Sequence, residues 1–145
     1  MDPELRKIWE VYMLALAMWR EARNQPFEVI AIVGCSMRNR VLRPRWWGKT
    51  YVEVVLCRDQ YSSFNREDPN AVKFPAFADQ VFPVCLSLAA AIHDGVLPDK
   101  ADGTDSYFDR SLDDHPPSWA TDGSKTHVMD AGDFHFYRTL DAMAA

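Results

Sequence analysis

The sequence predicts an α+β domain that is mainly helical, with a small antiparallel sheet in its C-terminal third. A length of 145 residues suits one domain, and a composition that is 48% hydrophobic can bury a core of its own. Apolar residues recur at helical spacing up to about residue 95, whereas strand-type alternation appears only after Pro98. We therefore expect one domain over 1–145, with a helical body at about 2–95 and the sheet and a closing segment at about 102–138.

The first two helices are predicted from their caps and their apolar periodicity. Asp2 is a suitable N-cap for a helix that runs to about Asn24. Its middle, Val11 to Trp19, is apolar on nearly every side, so we expect it to pass through the core. Pro26 interrupts the chain, and residues Phe27 to about Val41 repeat apolar side chains near a 3.6-residue period. This pattern predicts a second helix.

Two further helices and an irregular segment follow. Thr50 is a candidate cap for a short helix at Tyr51 to Cys57. The polar stretch 58–77 contains two prolines and is expected to be mostly irregular. A longer helix is predicted from Ala78 to His93, because Asp94 and Gly95 then form a helix end.

The C-terminal part predicts three strands. Turn residues separate short runs rich in β-branched and aromatic side chains. Alternation in the last run should place His135 and Tyr137 on one face of the sheet and the two neighbouring phenylalanines on the other. The predicted strands are 104–108, 126–129 and 134–137, with a turn at Ala131 and Gly132.

Charge and cysteine content exclude several classes of protein. A net charge of −5 argues against a nucleic-acid binder, which needs a phosphate-neutralising surface. The three cysteines are far apart, lie among apolar neighbours and form no CxxC pair, so we expect buried thiols, as in a protein folded in a reducing cytoplasm. The longest apolar run is far too short for a membrane span, and no export signal is readable. We expect neither a metal nor a cofactor.

Glu21 is the candidate catalytic residue. It lies near the end of the predicted core helix, where partial removal from water raises the pKa of a carboxyl. A carboxyl of raised pKa can protonate a leaving group near neutral pH, as glycoside cleavage requires. The alternative is a structural ion pair with one of the nearby arginines, Arg20, Arg23 or Arg38.

Four groups of segments carry a family resemblance. They are Glu21-Ala22-Arg23 with Arg38-Asn39-Arg40-Val41, then Gln60-Tyr61-Ser62-Ser63-Phe64, then Thr104 to Phe108, and finally Trp119-Ala120, Lys125 and Gly132 to Tyr137. In order and spacing, from Leu14 to Arg138, they resemble the SleB-type cell wall hydrolases, which include spore-cortex-lytic enzymes. Asn24 and Gln25 stand where that family commonly has glycine and glutamate. We expect Asn24 to take over the left-handed backbone of that glycine.

The resemblance implies a lysozyme-like fold related to lytic transglycosylases. It implies cleavage of peptidoglycan glycan strands between N-acetylmuramic acid and N-acetylglucosamine, and Glu21 corresponds to the family's catalytic glutamate. We expect a lytic transglycosylase, in which one glutamate acts first as acid and then as base. A hydrolytic muramidase is the alternative and usually needs a second carboxylate, for which the candidates are Glu28, Asp59 and Asp105. The candidate substrate-binding residues are Gln60, Ser62, Ser63, Tyr107, His135 and Tyr137.

Two other classes of function stay open. A zinc-dependent peptidoglycan amidase or peptidase would need ligands such as His127, His135 and either Asp130 or Asp133, although no HExxH motif is present. A nucleic-acid-binding module would use the basic stretch 38–49, in which Trp46 and Trp47 could stack on bases. In a sugar-cleaving enzyme the same tryptophans would cover the core or stack on sugar rings, and Trp119 is expected to pack.

The expected partner is the peptidoglycan glycan strand, bound by a monomer without an integral membrane segment or nucleic acid. A phage endolysin would wait in the host cytoplasm until its release to the wall. A bacterial wall-remodelling enzyme would act in the periplasm or the cell wall. The sequence is compatible with both origins.

Overall fold

The computed structural model describes residues 1–57 and 60–141, in which four α-helices precede three strands. The helices are α1 (Pro3–Ala22), α2 (Phe27–Leu42), α3 (Tyr51–Leu56) and α4 (Phe82–His93). Both predicted caps are present. The Asp2 carboxylate accepts hydrogen bonds from two N–H groups of the first turn of α1, and the Thr50 hydroxyl accepts one from the first turn of α3.

The C-terminal half of α1 forms the centre of the core. Residues 14–20 are all buried, and α1 packs against α2, α3 and α4. The N-terminal half is different, because the side chains of Leu5, Ile8 and Trp9 are exposed. The expectation of a helix through the core is therefore confirmed for the second half of α1, which is the half that carries Glu21.

The start of α4 corrects the sequence prediction. The helix begins at Phe82, four residues after the predicted Ala78. The cause is Asp79, whose Oδ1 accepts hydrogen bonds from the N–H groups of Val81 (2.9 Å) and Phe82 (2.8 Å). A side chain that binds these N–H groups competes with a further helical turn on the N-terminal side, so the helix begins at Phe82. Between α3 and α4 the described residues form two short 3-10 turns, Ser62–Phe64 and Pro69–Val72, as expected for a mostly irregular segment.

The sheet has three antiparallel strands in the order β1-β3-β2. They are β1 (Ser106–Asp109), β2 (Lys125–Ala131) and β3 (Phe134–Thr139). The register of β2 against β3 shifts between His127 and Met129, which marks a β-bulge. The turn between these strands contains Gly132 at φ +53°, where an added side chain would collide with Gln25 and Val29.

Gln25 joins the helical body to this turn. Its Nε2 donates to Asp133 Oδ2 at 2.8 Å, and the N–H of Asp133 donates to Gln25 Oε1 at 3.1 Å. The expectation for Asn24 is wrong, since Asp102 is the one non-glycine residue of positive φ in the described chain. The α1–α2 connection is closed instead by ordinary turn backbone, with the N–H of Gln25 bonded to the carbonyl of Ala22.

The two faces of β3 divide as predicted. Phe134 and Phe136 are buried in the core, and His135 and Tyr137 point to the other side. Register then assigns the faces of β1, because residues directly opposite share a face. Tyr107 is opposite Phe136 and therefore faces the core, whereas Phe108 is opposite His135.

Two further expectations concerned buried free cysteines and the absence of a membrane-spanning helix. All three cysteines are free thiols; Cys35 and Cys85 are buried and Cys57 is partly buried. Within residues 1–57 and 60–141, no helix combines the length and the apolar character needed to cross a membrane. The architecture is thus a mainly helical body followed by a small antiparallel sheet, which confirms the predicted α+β class.

Candidate active site

A cleft with a volume of about 1140 Å³ lies where the helical body meets the sheet. Glu21 from the last turn of α1 and Tyr107 from β1 lie next to each other in it. Aromatic side chains form much of the wall, and four basic side chains also line the cleft. Besides Tyr107, the aromatic residues are Trp46, Tyr61, Phe108, Trp119 and Phe134, and the basic ones are Arg20, Arg40, Arg45 and Lys125.

The Glu21 carboxyl is held by a tyrosine hydroxyl. Tyr107 Oη donates a hydrogen bond of 2.7 Å to Glu21 Oε1. Burial raises the pKa of Glu21 above its usual value of 4.5, and the bond from Tyr107 together with the nearby Ser63 offsets only part of that rise. Burial, together with the nearby Glu21, also raises the pKa of Tyr107 well above 10. The phenol therefore keeps its proton and acts as a donor to Glu21.

Ser63 adds a second hydroxyl beside this carboxyl. Its side chain is 2% exposed and borders the cleft. The hydroxyl is close enough to lower the pKa of Glu21, although its geometry completes no hydrogen bond to any described residue. A buried hydroxyl without a protein partner is costly, and because Ser63 Oγ is closed off from solvent, the group that it influences is the Glu21 carboxyl rather than a ligand in the cleft.

The alternative of a structural ion pair at Glu21 is not realised among the described residues. The three arginines proposed as its partners direct their N–H groups elsewhere. Arg20 donates to the carbonyl oxygens of Ala71 and Lys73, Arg23 to that of Arg20, and Arg38 to that of Leu97. Glu21 thus lies in the cleft with hydroxyl neighbours rather than with a cation.

Five of the seven predicted site residues line this one cleft: Glu21, Gln60, Ser62, Ser63 and Tyr107. The side chain of Gln60 is positioned by Arg40, whose Nη1 donates to Gln60 Oε1 at 3.2 Å. Ser62 is exposed at the rim, in the same 3-10 turn as Ser63. The turn 62–64 therefore places polar groups directly opposite the carboxyl-bearing end of α1.

His135 and Tyr137 do not join the other five, which corrects the prediction for these two residues. They lie on the opposite face of the sheet and line a smaller cleft of about 450 Å³, together with His127 and Asp130. The physical reason is the two-residue alternation of strand side chains, which turns Phe134 toward Glu21 and His135 away from it. Phe108 borders both clefts.

Two of the three candidates for a second carboxylate, Asp105 and Glu28, do not line the cleft. Asp105 is 2% exposed, and its Oδ1 accepts hydrogen bonds from Ser106 (2.9 Å) and from the Thr139 hydroxyl (2.9 Å). It is therefore a structural group that joins the ends of β1 and β3. Glu28 is exposed at the start of α2 and does not line the cleft. Asp59 lies outside the described residues.

Asp109 is the carboxylate in the cleft that the sequence predictions missed. It follows Tyr107 by two residues in β1, so both side chains are on the same face of the strand. That spacing was the available signal, but it requires the extent of β1 to be known. Asp109 Oδ1 also accepts a hydrogen bond from the N–H of Ser111 at 2.8 Å, which fixes its orientation.

The two adjacent tryptophans have different environments. Trp47 is 1% exposed, and its Nε1 donates to the carbonyl of Arg40 at 2.9 Å. Trp46 is 66% exposed and borders the cleft. Arg40 and Arg43 donate to backbone carbonyls of the segment before β1, so they form no free basic surface for phosphates.

Comparison of the chain with protein-family models, with curated proteins and with solved structures finds no match. The class of site is therefore defined by its own geometry: a half-buried carboxyl with a protonated tyrosine donor, in an aromatic-walled cleft.

Proposed function

We propose that this protein cleaves peptidoglycan glycan strands between N-acetylmuramic acid and N-acetylglucosamine, with Glu21 as the catalytic residue. The observation that carries the proposal is the Glu21 carboxyl of raised pKa, bonded to Tyr107 and lining an aromatic-walled cleft of about 1140 Å³. The resemblance of the four segments to SleB-type hydrolases, with the lysozyme-like fold that it implies, supports the same substrate. A surface carboxyl would be almost fully ionised at neutral pH and could not act as an acid, whereas the raised pKa of Glu21 favours its protonated form.

The first chemical step is protonation of the leaving group. Neutral Glu21 gives its proton to the glycosidic oxygen, the bond from that oxygen to the anomeric carbon of muramic acid breaks, and an oxocarbenium-like state develops. The glucosamine leaves with the proton as its hydroxyl. Glu21 is now a carboxylate, and the hydrogen bond from Tyr107 stabilises this charge in a site of low dielectric.

In the second step Glu21 acts as a base. It removes the proton from the primary hydroxyl of the same muramic acid, whose oxygen attacks the anomeric carbon and closes an anhydro ring. Glu21 is then protonated again, so the cycle consumes no water and needs no second carboxylate. Transglycosylation of this kind is the favoured reaction.

The cleft walls fit a sugar chain. The exposed ring of Trp46 and the partly exposed ring of Trp119 offer apolar faces to sugar rings, and the exposed hydroxyl of Ser62 can bond a sugar hydroxyl. The net charge of −5 gives no general attraction to an anionic wall. Binding by shape and stacking is therefore the expected mode.

A hydrolytic muramidase is the second candidate, and Asp109 is the observation that favours it. Asp109 lines the same cleft as Glu21 and lies two residues along β1 from Tyr107, the hydrogen-bond donor to Glu21. Asp109 could therefore activate a water molecule or stabilise the oxocarbenium-like state. Asp109→Asn keeps the acceptor for the Ser111 N–H and removes the acid. An unchanged rate supports transglycosylation, and a large loss supports hydrolysis.

Substitution of Glu21 tests the proposal directly. Glu21→Gln should lower the rate of peptidoglycan solubilisation by roughly 10²- to 10⁴-fold, because the amide cannot donate or accept the proton. Glu28→Gln, the same change at an exposed site outside the cleft, should leave the rate unchanged. Full activity in Glu21→Gln would overturn the assignment of Glu21.

A further inference from the structure

The outer face of the sheet carries a second group of chemistry-bearing side chains, separate from the Glu21 cleft. His127 and Asp130 from β2 and His135 from β3 each offer one ligand atom, and these atoms lie within 4.8 Å of one another. Asp130 Oδ1 is 2.6 Å from His127 Nε2 and 2.7 Å from His135 Nδ1. We propose that these three residues bind one divalent transition-metal ion, with Zn²⁺ as the best-suited metal.

The β-bulge in β2 makes this convergence possible. In a regular strand, residues three apart point to opposite faces. The register of β2 shifts between His127 and Met129, so one extra residue is inserted between His127 and Asp130. Both side chains consequently reach the same face, where Asp130 is paired directly with His135. Bulges commonly re-aim side chains in this way at functional sites.

Asp113 gives the second, independent observation. Its Oδ1 lies 2.8 Å from Nε2 of His135, the ring nitrogen that does not face Asp130. Histidine ligands of metals usually donate their other ring N–H to a carboxylate, which fixes the tautomer and leaves the ligating nitrogen unprotonated. Both ring nitrogens of His135 lie at hydrogen-bond distance from a carboxylate, Nδ1 from Asp130 and Nε2 from Asp113. A metal ion between Nδ1 and Asp130 would replace the proton there, and the Nε2–Asp113 bond would remain to hold the ring.

The donor set and the charge balance favour zinc. Two imidazole nitrogens and one carboxylate oxygen form an N₂O set of borderline-soft character, which suits Zn²⁺ better than Ca²⁺ or Mg²⁺. With neutral histidines, Asp113 and Asp130 leave this cluster with two negative charges, which one divalent ion balances. A shift of a few tenths of an ångström to about 1 Å would widen the present contacts to the spacing of zinc ligands.

The site is open on one side. The three residues border the smaller cleft of about 450 Å³ on the outer face of the sheet. Three protein ligands leave the fourth tetrahedral position of zinc free for a water molecule or an anionic group that enters this cleft. The ion would also link β2 to β3 and hold the segment that carries Asp113. Since Glu21 lies on the other face, glycan cleavage does not depend on this site.

A zinc titration of the chelator-treated, desalted protein tests the proposal. Calorimetry with ZnCl₂ should give one site per chain, and Tm should rise with the zinc concentration. Asp130→Asn and His127→Ala should each weaken binding at least tenfold. Asp113→Asn, which leaves all three ligands in place, should weaken it by roughly 10- to 100-fold. His115→Ala, an exposed histidine outside the cluster, is the matched control and should bind like the parent protein.

Two outcomes overturn the proposal. One is the absence of stoichiometric zinc binding by the parent protein, and the other is equal affinity in the parent and His127→Ala. His127 and Asp130 are exposed, so circular dichroism should show that their variants fold. X-ray absorption of the zinc-loaded parent protein gives a readout without mutation, since it should detect two imidazole ligands. A spectrum without imidazole ligands would equally reject the site.

Discussion

At the residue scale, the hydrogen-bonded pair of Glu21 and Tyr107 sets the acid–base properties of the site. Burial of Glu21 favours its neutral form, and the short hydrogen bond from Tyr107 favours its charged form. Burial has the larger effect, so the pKa of Glu21 is raised, but the bond from Tyr107 still lets the side chain ionise during the reaction. A group that must be first an acid and then a base needs this balance.

Tyr107→Phe tests that balance through the pH dependence of activity. The acid step needs protonated Glu21, so kcat/KM should fall as the pH rises through the raised pKa of Glu21. Loss of the tyrosine donor should raise this pKa further and move the alkaline limb of the pH profile to higher pH. The maximal rate should fall by roughly tenfold or more, because the carboxylate loses a charge-assisted bond.

Tyr51→Phe is the control for that measurement. Tyr51 is also a buried tyrosine, with its pKa raised to about 12, but it does not line the cleft. Its variant should keep the pH profile of the parent protein. An alkaline limb that stays in place or moves to lower pH in Tyr107→Phe would contradict the role given to Tyr107.

Trp46 and Trp47 make a matched pair for separating binding from stability. Trp46→Ala should change the free energy of unfolding by less than about 0.5 kcal/mol and raise KM for polymeric glycan, because its ring is exposed at the cleft. Trp47→Ala should lower the free energy of unfolding by roughly 3–5 kcal/mol, because its ring is fully buried. Urea denaturation and digestion kinetics check both. Equal effects of the two substitutions would contradict this division.

At the scale of elements, local signals were sufficient for the helices. Caps and periodicity predicted the starts of α1, α2 and α3, because those signals act within a few residues. The start of α4 was predicted too early because the Asp79 carboxylate accepts bonds from the N–H groups two and three residues further on, and also one of 3.3 Å from Trp19 Nε1. The first two bonds are local, whereas the contact with Trp19, sixty positions away, has no local signature.

Asp79 gives a prediction at this scale. Asp79→Ala should lower the free energy of unfolding by about 1–2 kcal/mol, because two N–H groups at the start of α4 lose their acceptor. Asp79→Asn keeps an acceptor oxygen and should retain most of that stability. Denaturant unfolding followed by circular dichroism measures both variants. Equal stability of Asp79→Ala and the parent protein would show that the cap does not stabilise α4.

The sheet contains the part of the site that could not be predicted from the sequence. Alternation correctly predicted that Phe134 and Phe136 face away from His135 and Tyr137. It did not predict the pairing of β1 with β3, which is set by contacts between distant parts of the chain. That pairing determines that Tyr107 and Asp109 face Glu21 and that His135 faces the other way. The bulge in β2 likewise has no local signal.

At the scale of the whole molecule, the cleft depends on three parts of the chain meeting at one place. The helical body supplies Glu21, the turn 62–64 supplies Ser62 and Ser63, and the sheet supplies Tyr107 and Asp109. Gln25, just after α1, makes two side-chain hydrogen bonds to Asp133 in the β2–β3 turn, and Glu21 at the end of α1 is bonded to Tyr107 of β1. The relative position of body and sheet therefore decides the geometry of the site.

Mass spectrometry of glycan ends tests the central claim most directly. Purified peptidoglycan is digested with the parent protein and, in parallel, with Glu21→Gln and Glu28→Gln. The lone Glu21 mechanism predicts anhydro-muramic acid ends with the parent protein and with Glu28→Gln, and no new ends with Glu21→Gln. Reducing muramic acid ends would show that water completes the reaction and would bring Asp109 into the mechanism. Freed stem peptides with intact glycan strands would contradict glycan cleavage altogether.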